Sequence, residues 1–130
     1  MTPIAITAPE LPKWRKRLEW HFGEMCASGQ FTPDDLAQQI ERRERQLWVA
    51  VDGEEVRCAV LTMVQADRLS TVTVTHCVGA GYRDWLHMWP VLEGWAREMG
   101  SQRIEALARP GWERVLTGMR KTHVLLEKRL

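Results

Sequence analysis

The chain has 130 residues, of which 45% are hydrophobic and 27% charged, with a formal net charge of +1. That length suits a single domain over residues 1–130 that buries its core without metal or disulfide staples, and the composition excludes a disordered or collagen-like chain. Three cysteines with no CxxC pair exclude a disulfide framework, and no run nears the roughly 18 apolar residues of a membrane span.

The first residues, MTPIAITAPELPKW, lack a basic stretch followed by a long apolar run, so neither secretion nor membrane insertion is expected and the cytoplasm is the expected compartment. Residues 4–7 read as a short strand. After Pro12, Trp14, Leu18, Phe22 and Met25 recur at helical spacing and predict one amphipathic helix. Lys13, Arg15, Lys16 and Arg17 cluster there, and Arg120, Lys121, Lys128 and Arg129 near the other end. Nothing in the residue order adds base-stacking or phosphate-positioning groups to them, so solvated faces are expected rather than a nucleic-acid surface.

Thr32, Pro33, Asp34 and Asp35 announce a second helix: a capping hydroxyl, a proline suited to the first helical position and carboxylates at the positive end of the dipole. Phe31 and Leu36 are spaced as a hydrophobic staple, Leu36 and Ile40 face inward, and the polar run 41–45 closes the helix. Residues 47–51 read as a strand, Asp52 and Gly53 as a tight type I′ turn, and 56–64 as the returning strand. Residues 65–68 make a second turn. A third strand, rich in β-branched residues, covers 70–78 and completes an antiparallel meander.

Gly79, Ala80 and Gly81 break that strand. Trp85, Met88, Trp89, Leu92, Trp95, Ala96 and Met99 then mark a helix ending at Gly100, with Pro90 expected to kink or delay it. Residues 103–108 read as a strand, 110–117 as a short helix and 119–128 as a closing strand, giving the order (β)ααβββαβαβ. Seven tryptophans against one tyrosine and two phenylalanines fall mostly at helical spacing, which assigns them to core packing first and ligand stacking second.

This order, with a glycine turn between the third meander strand and the long helix, resembles the GNAT N-acyltransferase superfamily over nearly the whole chain. The stretch His76-Cys77-Val78-Gly79-Ala80-Gly81 is similar to that superfamily's [Arg/Gln]-x-x-Gly-x-[Gly/Ala] loop, with His76 in the place of the arginine or glutamine. The succession from Trp95 through Gly100, the strand at Ile104 and Trp112-Glu113-Arg114-Val115-Leu116 resembles its "A-x-x-x-G", strand, "Y-E-K-L-G-F" tail, with Trp112 in the place of a tyrosine that often acts as acid. The brevity and the tail are similar to acyltransferase-like proteins of tailed bacteriophages. The resemblance implies an α/β (α+β) fold with a mixed, mainly antiparallel sheet and helices on both faces. It also implies acetyl-CoA as acyl donor, with Val78, Gly79, Ala80, Gly81 and Tyr82 around its pyrophosphate.

Acyl transfer from a thioester to an amine needs a base for the amine proton and donors for the carbonyl. His76 and Glu105 are the candidate catalytic residues, with His123 a further titratable group. Strand alternation puts His76 on the face of Val72 and Val74, as a core or cleft histidine, and Glu105 on the face opposite Ile104 and Ala106, as a solvated or ion-paired carboxylate. Adjacent His76 and Cys77 point to opposite faces and form no thiolate dyad. No His/Cys spacing suits zinc, so no metal is expected. Two functions stay open: an acyl-CoA-dependent N-acyltransferase whose amine acceptor is undetermined, or an inactive protein on the same fold that assembles with itself or in a phage virion.

Overall fold

The computed structural model describes residues 2–65, 70–79, 81, 83, 86–108 and 111–130. Five strands form one sheet in the order of the chain: β1 (Thr2–Ile6), β2 (Gln46–Asp52), β3 (Glu55–Gln65), β4 (Thr71–Gly79) and β5 (Arg103–Ala106). The first four pair antiparallel; β5 runs parallel to β4. Gly53 carries a φ of +61° and Glu54 does not share it. The hairpin therefore turns on Gly53 and Glu54 between paired Asp52 and Glu55, one residue later than expected. A single positive φ at the first central position fits type II′ rather than type I′.

The two faces of the sheet bury separate clusters. On one, Leu47, Val49, Ala59 and Leu61 meet Leu18, Phe22 and Met25 from the first helical region and Leu36 and Ile40 from α3 (Pro33–Glu41). On the other, Trp48, Val60 and Val74 meet Met88 and, from the long helix α4 (Trp89–Glu98), Trp89 and Leu92, with Leu116 beside them. Burying a leucine or phenylalanine fully contributes about 1.5–3 kcal/mol, whereas an exposed pair such as Arg15–Asp34, at 2.6 Å, contributes about 1 kcal/mol at most. Packing thus decides the arrangement.

The first helix is not continuous. It splits into α1 (Leu11–Trp14), a 3-10 turn (Lys16–Leu18) and α2 (Glu19–Met25), with Leu18 leaving helical geometry at φ −104° and ψ 5°. The apolar stripe survives because the break keeps Leu18, Phe22 and Met25 on one side. α3 begins as its residues require: Thr32 Oγ1 accepts from the Asp35 N–H at 3.1 Å, and Asp35 Oδ2 accepts from the Thr32 N–H at 2.9 Å.

Pro90 delays α4 rather than kinking it. The regular helix starts at Trp89, which places the proline in the first turn, where its missing N–H leaves no hydrogen bond unmade. Trp85 and the turn residues 66–68 lie outside the described residues, as does Pro110 of the expected short helix, whose described part is a 3-10 turn (Trp112–Arg114).

The closing strand expected over 119–128 is not formed. A strand needs a ladder partner, and among the described residues none pairs with this tail; Val124, Leu125 and Leu126 are 70–89% exposed. β5 is likewise shorter than expected, four residues rather than six.

Candidate functional site

The site is built on an irregularity in β4. Leu61 of β3 faces His76, and the next residue, Thr62, faces Val74, so Thr75 is an extra residue without a cross-strand partner. Such a bulge reverses the side-chain alternation. Val72 and Val74 stay on the α4 side, whereas His76 turns to the α2/α3 side, over Leu61 and Leu47. The face expected for His76 from simple alternation is therefore corrected. Beyond the bulge, Val78 packs with the α2/α3 cluster.

The same stretch of β4 leaves its parallel neighbour. β5 pairs with residues 71–74, and the Leu107 N–H donates a last bond, 3.0 Å, to the Val74 carbonyl. Past that point, residues 75–79 have no β5 partner among the described residues, though residues 76–79 remain paired to β3 on the other side. Among the described residues, the result is an open backbone edge next to His76.

Residues from three further elements gather at the bulge. Arg45, just before β2, is buried at 8% exposure; its Nη1 donates to Thr75 Oγ1 at 2.7 Å and its Nε to Gln39 Oε1 of α3 at 2.5 Å. Its guanidinium lies over the Phe31 ring at 5.4 Å, and that ring meets the His76 imidazole edge-on at 6.1 Å. His76 Nδ1 is 3.0 Å from Thr75 Oγ1, which in turn lies 3.4 Å from the Leu61 carbonyl. With Nδ1–H donating to Thr75 and the hydroxyl donating to Leu61, the donors of the imidazole and of the hydroxyl are both used and Nε2 keeps a free lone pair.

Burial lowers the His76 pKa below the ordinary imidazole range, and the nearby positive charge of Arg45 lowers it further. The ring is therefore neutral at neutral pH and able to accept a proton. Burial also lowers the Arg45 pKa, partly offset by Glu44, but an arginine stays protonated.

The remaining candidates are dispersed. Glu105 faces Thr73 on β5, three residues before His76 along β4 and so roughly 10 Å away at strand rise. It is half-buried, and its carboxylate lies 3.1 Å from Arg103. Gly79 ends β4 opposite Cys58, and Gly81 is exposed. Ala80 and Tyr82 lie outside the described residues. The glycines do not lead directly into α4, whose first residue is Trp89. His123 is in the exposed tail beside Thr122, and Trp112 is half-buried near the α4-side cluster. Among the described residues no group of three or more His, Cys, Asp or Glu is placed to hold a metal, and no helix is long and apolar enough to cross a membrane.

Arg45, Phe31, Gln39 and Thr75 were not candidates from sequence. A signal for Arg45 exists: it precedes Leu47 and Val49 at alternate positions, in phase with the inward face of β2.

The sequence matches no protein-family model and no curated protein. Solved structures do match. An aminoglycoside acetyltransferase from an uncultured soil metagenomic sample, in complex with sisomicin, aligns with a TM-score of 0.77 at 11% identity over 99% of this chain and 95% of its own. A ribosomal-protein-alanine N-acetyltransferase from Brucella melitensis biovar Abortus 2308 aligns at 0.70 and 11% identity over 98% and 100%. A predicted acetyltransferase with acetyl-CoA from Clostridium acetobutylicum aligns at 0.69 and 12% identity over 98% and 95%. These structures bear on the fold; a bacteriophage origin rests on the sequence resemblance alone. With its five-stranded, mainly antiparallel sheet, helices on both faces and β4 parting from β5, the chain has the fold of the GNAT acetyltransferases.

Proposed function

We propose that the protein transfers an acyl group from a coenzyme A thioester, acetyl-CoA in the first instance, to an amine. One observation carries this reading: the open edge of β4 over residues 75–79, with a neutral histidine at its start. The pantetheine arm carries amides, and an unpaired strand edge offers the N–H and C=O groups that amides match. Val78 and Gly79 lie on that edge.

The amine, in its free-base form, attacks the thioester carbonyl and forms the C–N bond. His76 Nε2 accepts the proton that the nitrogen releases, while Thr75 and Arg45 hold the ring from its Nδ1 side. The C–S bond then breaks, and the imidazolium returns the proton to the departing thiolate, so coenzyme A leaves as a thiol. A proton returned by His76 makes a tyrosine in the place of Trp112 unnecessary; an indole N–H is a donor only and supplies no acid. Glu105, ion-paired to Arg103, takes no part in these steps.

Isothermal titration with acetyl-CoA tests the reading directly. Saturable binding is expected, and no heat and no thermal shift at millimolar acetyl-CoA would sink it. The competing assembly role draws on Trp20, 57% exposed, and on the apolar tail. Concentration-dependent self-association together with no acetyl-CoA binding would select that role instead.

A further inference from the structure

At the bulge, one hydroxyl group joins three partners of different hydrogen-bonding character. Thr75 Oγ1 lies 2.7 Å from Arg45 Nη1, 3.0 Å from His76 Nδ1 and 3.4 Å from the Leu61 carbonyl oxygen. A hydroxyl has one hydrogen and two lone pairs. The guanidinium can only donate, so Arg45 fills one lone pair. The carbonyl can only accept, so Leu61 takes the hydrogen. One lone pair then remains for the imidazole, and only a hydrogen on Nδ1 satisfies it.

We propose that Arg45 is a positioning residue that acts through Thr75 to fix the tautomer of His76, keeping the ring hydrogen on Nδ1 and Nε2 bare. In a neutral imidazole, the nitrogen that carries the hydrogen is set by the hydrogen bond made on the other side of the ring. Here that bond goes to a hydroxyl whose own orientation Arg45 decides. Without the guanidinium, the Thr75 hydroxyl is free to turn its hydrogen toward Nδ1. The ring hydrogen then belongs on Nε2, which can no longer accept a proton.

Arg45 is itself held in place, which a positioning role requires. Its Nε donates to Gln39 Oε1 of α3 at 2.5 Å, and its guanidinium lies over the Phe31 ring at 5.4 Å. That ring meets the imidazole edge-on at 6.1 Å, so Arg45 supports His76 by a second route that does not pass through Thr75. Buried at 8% exposure, Arg45 acts on the ring rather than as a surface charge. The catalytic consequence rests on the acyl-transfer reading, whereas the tautomer exists without coenzyme A.

Long-range proton–nitrogen correlation spectra of the nitrogen-15-labelled chain near neutral pH distinguish a ring N–H from a bare ring nitrogen, and the spectrum of His76→Gln identifies the His76 signals among the four histidines. Wild-type His76 is expected with its hydrogen on Nδ1. Thr75→Val and Arg45→Met should each move it to Nε2 in a substantial fraction of molecules, and Thr75→Ser, which keeps the hydroxyl, should hold the wild-type pattern. With acetyl-CoA and an amine, Arg45→Met should lower kcat about tenfold or more at unchanged KM for acetyl-CoA. An Nδ1–H tautomer that depends on Arg45, in a protein that transfers no acetyl group, would support the positioning role and count against the acyl-transfer reading. A wild-type hydrogen on Nε2, or a tautomer unchanged in Thr75→Val or in Arg45→Met, would overturn the proposal. If Arg45→Met fails to fold, the wild-type spectrum and the contrast between Thr75→Val and Thr75→Ser decide it.

Discussion

Gly79 ends β4 at the proposed coenzyme A edge, and its resemblance to a phosphate-loop glycine assigns it to ligand approach. Packing gives it another duty. A Cβ placed on Gly79 would stand 2.6 Å from Cys58 Cβ, 2.9 Å from the Arg57 carbonyl oxygen and 3.2 Å from Cys58 Cα. Two of these three are backbone atoms, and Cys58 is fully buried, so no flexible side-chain end can swing aside. Overpacking of this kind costs about 1–3 kcal/mol. For a domain of this size that is a fall in Tm of roughly 3–12 °C, taking about 2 cal/mol/K per residue for the unfolding entropy. Differential scanning calorimetry of Gly79→Ala without ligand measures it. Cys58→Gly in the same chain removes the shortest contact but not the Arg57 one, so the double variant should show a smaller penalty than the two single costs added. An unchanged Tm for Gly79→Ala would refute the packing argument and return this glycine to a purely ligand-facing role.

His76→Gln should lower acetyl-transfer kcat by about 10²–10⁴-fold with acetyl-CoA affinity retained by calorimetry, and the wild-type rate should rise with pH through a midpoint below the ordinary histidine value. Thr62→Val breaks the buried chain in which Trp48 Nε1 donates to Thr62 Oγ1 at 3.1 Å and that hydroxyl donates to Gln46 Oε1 at 2.9 Å; urea unfolding should show a loss of about 1–3 kcal/mol. Burial lowers the pKa of His21, against a hydrogen bond to the Val56 backbone, and lowers that of His76 together with Arg45. The unfolded chain therefore takes up protons first, and the contribution of both residues is full above about pH 6.5 and lost as the pH falls through the folded values; Tm measured between pH 7.5 and 5 should decline, less steeply in His76→Gln. Deleting residues 121–130 should leave Tm within about 2 °C of the intact chain, because these residues are exposed and form no regular structure; a large drop would show that the tail packs.

Trp112 illustrates how a familiar pattern can mislead about chemistry. At the place where the tail pattern that this sequence resembles has a tyrosine, the indole packs against the α4-side cluster. If acyl transfer occurs, the proton cycle must run through another group, and His76 is the titratable side chain that the bulge brings to the open edge.

Much of the fold was legible from the residues alone because the signals are local. The capping box at Thr32, the helical spacing of Leu36 and Ile40, the β-branched run of β4 and the proline in the first turn of α4 each act over a few neighbouring residues. Alternation also put Ile104 and Ala106 on one face together, and the structure packs both against the α4-side cluster. What the tertiary structure alone decided depends on partners distant in the chain. The bulge at Thr75 exists because Leu61 and Thr62 pair as they do, and it sends His76 to the face opposite the one that alternation assigns. Arg45 reads as the polar end of a helix until Phe31, Gln39 and Thr75 close around it. The tail has the composition of a strand, but a strand is a pairing, and no described residue supplies its ladder.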